Sequence, residues 1–194
     1  MARKAQISRE IILDTAFQML IRDGYNAINI TALAREIGCS TQPIAWHFGN
    51  MEGLRSALLR YCLDYMKNHF TLNGESSAPM LKEIPRKYID LAFDQPHLYK
   101  YLYMSDQDRA QTEALIQTLR FPNYEKILLL LQQEHGVSTQ AAQRYLLDLQ
   151  LYVHGIASCA VAKITFSSKE GVLGMIDDAN EAFLEKMLKT NHKD

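Results

Sequence analysis

Between Asn29 and Leu54 the chain reads NITALAREIGCSTQPIAWHFGNMEGL, and this stretch constrains the fold more tightly than any other: two short helices must turn sharply against each other. Ile30, Leu33, Ala34 and Ile37 recur at helical spacing on one face, and Asn29 stands where a side-chain oxygen can accept a free N–H of the first turn. Gly38 supplies the left-handed residue that ends this helix. The second helix opens at Ser40, another capping type, with Pro43 in its first turn, where a missing N–H breaks no internal hydrogen bond. Ile44 and Phe48, four apart, pack inward and leave Thr41, Gln42, Ala45, Trp46 and His47 over the remaining surface.

A helix pair hinged in this way is either a corner of an all-helical domain or a reader of a DNA groove. As a reader, its second helix points its early turn into the major groove. Ser40, Thr41 and Gln42 begin that helix. A Gln amide bonds adenine bidentately, and a Thr offers a hydroxyl or a methyl group. Ala45 suits a thymine methyl, while Trp46 and His47, at the far end, suit the sugar-phosphate rim. Asn29 and Thr31 of the first helix, with Arg3 and Lys4 of the basic arm MARKAQISR, complete the set of candidate DNA contacts.

The segment Ser8 to Leu54 carries IILDTAFQMLIRDGY, NITALAREIG and CSTQPIAWHFGNMEGL in register, and it resembles the N-terminal three-helix domain of the TetR family of transcriptional repressors. The resemblance implies a dimer made by the two C-terminal helices, with two reading heads set on a near-palindromic double-stranded DNA operator. This chain has Ala45 and Met51 where the family usually has a tyrosine and a lysine that touch backbone phosphates. Each lost ionic contact should lower the salt dependence of binding by about 0.9 in log–log slope. Arg3, Lys4, Arg9, Lys67 or the N-terminus of the reading helix are the other sources of phosphate contact. The same departure supports an alternative reading, a helical small-molecule-binding or interaction module with a weakened DNA reader.

Charge and composition narrow the classes further. Lys and Arg total 21 against 22 Asp and Glu, a net charge of −1, so DNA contact must rest on local geometry and on pairing two copies. Cys39, Cys62 and Cys159 lack metal-ligand spacing, and their odd number gives no disulfide framework, which points to a reducing compartment. No apolar run reaches the roughly 18 residues of a spanning helix, and the N-terminus has no signal-peptide core, so a cytoplasmic protein with no membrane partner is expected. There is no Gly-rich phosphate loop, no nucleophile elbow and no histidine pair four residues apart. Asp177 and Asp178 are adjacent and diverge on a helix. No catalytic residue, metal ligand or cofactor is therefore expected.

The fold expected is all-α: an N-terminal three-helix helix-turn-helix domain over residues 1–50, then a helical ligand-binding and dimerisation domain over 51–194. Helix one runs from Ser8 to about Arg22, burying Ile12, Leu13, Ala16, Met19 and Leu20. A long helix continues from Asn50 to about Phe70, and TLNGESSAP over 71–79 reads as a linker. Helices then follow over Met80 to Phe93, His97 to Met104, Asp108 to Arg120, Asn123 to Glu134, Ser138 to Lys163 and Lys169 to Lys189.

Two features of this second region bear on partners. Tyr88, Phe93, Tyr99, Tyr103, Met104, Phe121, Tyr124, Tyr145 and Tyr152 either fill an ordinary core or line a mainly apolar pocket with phenolic hydroxyls for a small-molecule effector. In the penultimate helix, Leu147, Leu151, Gly155, Ser158 and Ala162 form a second apolar stripe with small residues at its lower end. The last helix offers Val172, Ile176, Ala179, Phe183 and Met187. Leu151, Gly155, Ser158, Ala162, Ile176 and Phe183 are the candidate contacts of a homodimer joined through a four-helix bundle.

Overall fold

The computed structural model describes residues 7–105, 123–164 and 168–190. Arg3, Lys4, Phe121 and the helix expected over 108–120 lie outside these residues. Regular structure among the described residues is helical throughout, which makes the chain all-α. The helices are α1 (Arg9–Asp23), α2 (Ile30–Ile37), α3 (Gln42–Phe48), α4 (Met51–Phe70), α5 (Ser77–Asp94) and α6 (Pro96–Tyr103), followed by α7 (Tyr124–His135), α8 (Thr139–Val161) and α9 (Lys169–Thr190).

Several ends are set by the residues the sequence nominates. The Ser8 hydroxyl accepts from the N–H of Ile11 at 3.2 Å, the Asn29 side chain from Ala32 at 2.8 Å, and the Ser138 hydroxyl from Ala141 at 3.2 Å. The start of α3 departs from expectation: its capping position is Thr41 rather than Ser40, and Thr41 makes no side-chain cap. The linker is also shorter than expected. Ser77 already belongs to α5, because its N–H and hydroxyl both donate to the carboxylate of Glu134 on α7, which caps the helix from another element.

Internal contacts divide the chain into two compact units. The first comprises the residues up to Met66 together with Pro96–Ser105. Its core is built on α1, where Ile12, Leu13, Ala16, Phe17, Met19 and Leu20 are buried beside Leu33 and Ile44. The Phe17 ring lies 5.2 Å from that of Tyr61 and 4.8 Å from that of Tyr65, which ties α1 to α4. Helix α6, which the sequence assigns to the body, packs against α1 in this first unit and buries Leu98, Tyr99, Tyr101 and Leu102. Tyr101 stacks on Tyr25 with ring centroids 4.9 Å apart, and the Arg55 guanidinium lies 5.6 Å from the Tyr25 ring centre. Gly24, at φ 84°, turns the chain so tightly against α6 that a Cβ there would stand 2.9 Å from Nδ1 of His97.

The second unit comprises Lys67–Gln95 and the described residues from 123 onward. Helices α5, α8 and α9 pack on one another, and α7 packs against α5 and α8. Arg86 of α5 pairs with Asp177 of α9, and Lys169 of α9 reaches Asp90 at 2.7 Å and Asp94 at 2.8 Å. No helix among the described residues is long and apolar enough to cross a membrane.

Candidate nucleic-acid interface

Helices α2 and α3 meet at Gly38, which adopts the left-handed conformation (φ 77°, ψ 32°) while its N–H closes onto Arg35 at 3.1 Å. Cys39 follows with its N–H bonded to Ala34 at 2.9 Å. This turn leaves α3 anchored by one buried side chain, Ile44, with Pro43, His47 and Phe48 half-buried beside it. Ser40, Thr41, Gln42 and Ala45 are exposed, and Trp46 is 71% exposed. Thr31 is exposed on α2, and Asn29 is exposed with its side-chain oxygen engaged by Ala32. The residues nominated for base contact therefore share one solvent-facing helix.

His47 is held differently. Its Nε2 lies 3.0 Å from the carbonyl oxygen of Ile7, and its ring meets the Trp46 ring edge-on at 4.5 Å. The imidazole thus joins the far end of α3 to the residue just before α1. A second link lies beside it, where the Arg9 guanidinium sits 5.2 Å from the centre of the Phe48 ring. The α3–α4 corner is equally tight. Asn50 accepts from the N–H of Gly53 at 3.0 Å, and a Cβ at Gly53 would fall 2.0 Å from the Phe48 carbonyl oxygen, a contact no side chain can make. Neither the Arg9–Phe48 pair nor the need for glycine at 53 has a local sequence signal, since both arise from residues brought together across elements.

Arg22 is clamped by Asp23 at 2.7 Å and Glu36 at 2.8 Å, which lowers both carboxyls below their ordinary range through the hydrogen bonds they accept from it.

The aromatic residues nominated for an effector fall in different places. Tyr99 and Tyr103 belong to the first unit, where their rings lie 4.9 Å apart, and Met104 is an exposed residue of that unit. Tyr88, Phe93, Tyr124, Tyr145 and Tyr152 belong to the second. There the Tyr88 hydroxyl lies 2.8 Å from His154 Nδ1, and Phe70 is 6.2 Å from the Tyr88 ring. The hydroxyl of buried Tyr145 donates to Asn180, and desolvation raises the pKa of this phenol. Tyr152 meets Phe183 edge-on at 5.9 Å.

Of the residues nominated for a dimer, Leu151 is 62% exposed, Gly155 and Ala162 are exposed, and Ser158 and Phe183 are half-buried. Ile176 is 1% exposed in the single chain, with Val172 and Met187 also buried, so it belongs to the chain's own core rather than to an outward face. The outward apolar residue of α9 is Met175.

Residues 12–58 match the family of bacterial regulatory proteins of the tetR type. Over 98% of its length the chain is 21% identical to the uncharacterized HTH-type transcriptional regulator YobS of Bacillus subtilis, 98% of which is covered. It is 37% identical over 57 residues, 29% of the chain and 26% of the relative, to the HTH-type regulator Rv0681 of Mycobacterium tuberculosis. A crystal structure described as a TetR-family transcriptional regulator from Rhodococcus sp. superposes with a TM-score of 0.69 at 18% identity, covering 91% of this chain and 98% of the other. A variant of TetR from Acinetobacter baumannii in complex with minocycline superposes with a TM-score of 0.61 at 16% identity, covering 95% and 98%. These two likenesses concern the fold, whereas the match over residues 12–58 falls on the helices just described. Residues 12–58 are thus a tetR-type regulatory domain, in a chain whose likeness over its whole length is to an HTH-type transcriptional regulator.

Proposed function

We propose that the protein binds a near-palindromic DNA operator as a homodimer, acting as a repressor, and that a small, mainly apolar effector releases it. The observation that carries the DNA half is the exposure of Thr41, Gln42, Ala45 and Trp46 on a helix anchored by Ile44 behind them. Thr41 and Gln42 read base edges in the major groove, and Trp46 packs on the sugar-phosphate rim. Two copies join through Leu151, Gly155, Ser158 and Ala162 of α8, with Leu147 and Met175 extending the same apolar character.

The effector is bound in the second unit, with Tyr88, Phe93, Tyr124 and Tyr152 the nominated contacts that stay within that unit and short of full burial. Helix α4, one continuous element from Met51 to Phe70, carries the effect to the α3–α4 corner. Effector and operator then oppose each other through their differential affinity for two states of the protein.

The experiment is selection of DNA fragments by the purified protein, followed by sequencing. A shared palindrome is expected, with half-sites separated by about one helical turn or a multiple of it. Fragments with no common sequence would instead favour the helical interaction module with a weakened reader, which Ala45 and Met51 support.

A further inference from the structure

The geometry points to Arg9 as the phosphate-contacting cation of the reading head, standing in for the charge that Met51 lacks; this inference rests on the DNA-binding reading above. Arg9 begins α1, yet its guanidinium lies over Phe48, in the last turn of α3. It is therefore delivered to the corner formed by Phe48, Gly49, Asn50 and Met51, where the family's lysine would stand.

Charge pairing within the fold does not account for a cation at that position. The field of a helix disfavours positive charge at its N-terminus, and Arg9 occupies the first residue of α1. Among the described residues no carboxylate lies within ion-pair distance of it, in contrast to Arg22, which Asp23 and Glu36 neutralise. What Arg9 has instead is an aromatic platform. The contact with the Phe48 ring holds the guanidinium at this corner by its π-face, and the planar fork of N–H donors suits two oxygens of one phosphate.

His47 supports the same arrangement from the other side. By engaging the Ile7 carbonyl it fixes the chain two residues before Arg9, so the start of α1 and the end of α3 move together. In this chain His47 serves as a positioning residue for Arg9.

The test is the salt dependence of binding to a short random-sequence DNA duplex, followed by fluorescence anisotropy with the full-length protein. Arg9→Gln should flatten the log–log slope by about 0.9, so that between about 50 and 200 mM salt this variant loses roughly threefold less affinity than the wild type. Arg9→Lys should keep the wild-type slope, and the double variant Arg9→Gln with Met51→Lys should recover it. Arg22→Gln should leave it unchanged. The recovery by Met51→Lys separates a lost phosphate contact from a folding defect, which a lysine at 51 would not repair. A wild-type slope in Arg9→Gln, or equal flattening by Arg22→Gln, would overturn the assignment. Wild-type protein with no salt-dependent binding would overturn the DNA-binding reading too, and is distinguished by failing before any variant is compared.

Discussion

The hydroxyl of Tyr88 on α5 lies 2.8 Å from Nδ1 of His154 on α8, which places a polar pair between two helices packed on each other. Desolvation holds the His154 pKa below its ordinary value of 6.5. Above that value neither the folded nor the unfolded chain holds the extra proton, and stability is complete. As pH falls below 6.5 the unfolded chain takes up the proton first, so stability declines until the folded pKa is passed. His154→Gln should flatten this decline in urea titrations between about pH 7.5 and 5, while His69, shifted the same way, leaves a residual slope.

Glu134 caps α5 from a distance in sequence, accepting from the N–H of Ser77 at 2.9 Å and from its hydroxyl. The bonds from Ser77 hold the Glu134 carboxyl below its ordinary 4.5. The stabilisation is therefore fully present above that value and is lost as pH falls through the lowered one. Glu134→Ala should cost about 1 kcal/mol at neutral pH, the scale of a lost helix cap, and should remove this acid-side dependence in thermal unfolding followed by circular dichroism.

Gly24 combines φ 84° with a close approach to the His97 ring. Gly24→Ala should destabilise the first unit by more than about 1 kcal/mol, since alanine resists that backbone conformation. Adding His97→Ala should recover the steric part and leave the conformational part. A double-mutant cycle with no coupling would show that the ring gives way freely.

Leu151 is largely solvent-exposed in the single chain. Leu151→Glu should accordingly change the chain's own packing by less than about 0.5 kcal/mol, while placing a carboxylate in the proposed interface. Sedimentation should find the wild type at twice the mass of one chain and the variant at the mass of one chain.

Gln42 opens α3 with its side chain exposed. Gln42→Ala should relax preference at one or two base positions of the selected sequence by about 1–3 kcal/mol, with other positions unchanged. Equal preference at every position would remove Gln42 from base recognition.

The first three helices were legible because their signals are local. Ser8, Asn29 and Gly38 act within three or four residues of themselves, and the stripe Ile12, Leu13, Ala16, Met19 and Leu20 has one face to bury. Allegiance between elements was harder to read. Helix α6 has an apolar face, but nothing in PHLYKYLY says whether it meets α1 or the body, and Tyr99 lies beside Tyr103 in the first unit. Ile176 belongs to a helix with apolar residues on more than one side, so periodicity alone could not say which side the chain covers itself. The start of α5 depends on a carboxylate 57 residues away, beyond any local capping rule. On α3, Ile44 is buried as its spacing predicts and Phe48 only half-buried, while the bond from His47 to the Ile7 carbonyl joins residues 40 apart, beyond any local signal.

Trp46 is the chain's single tryptophan, and it stands on the outer surface of α3. The protein consequently carries an intrinsic optical probe at the point where it would meet a partner: the colour and intensity of indole emission follow the wetness of that one helix, with no dye attached and no second indole to subtract.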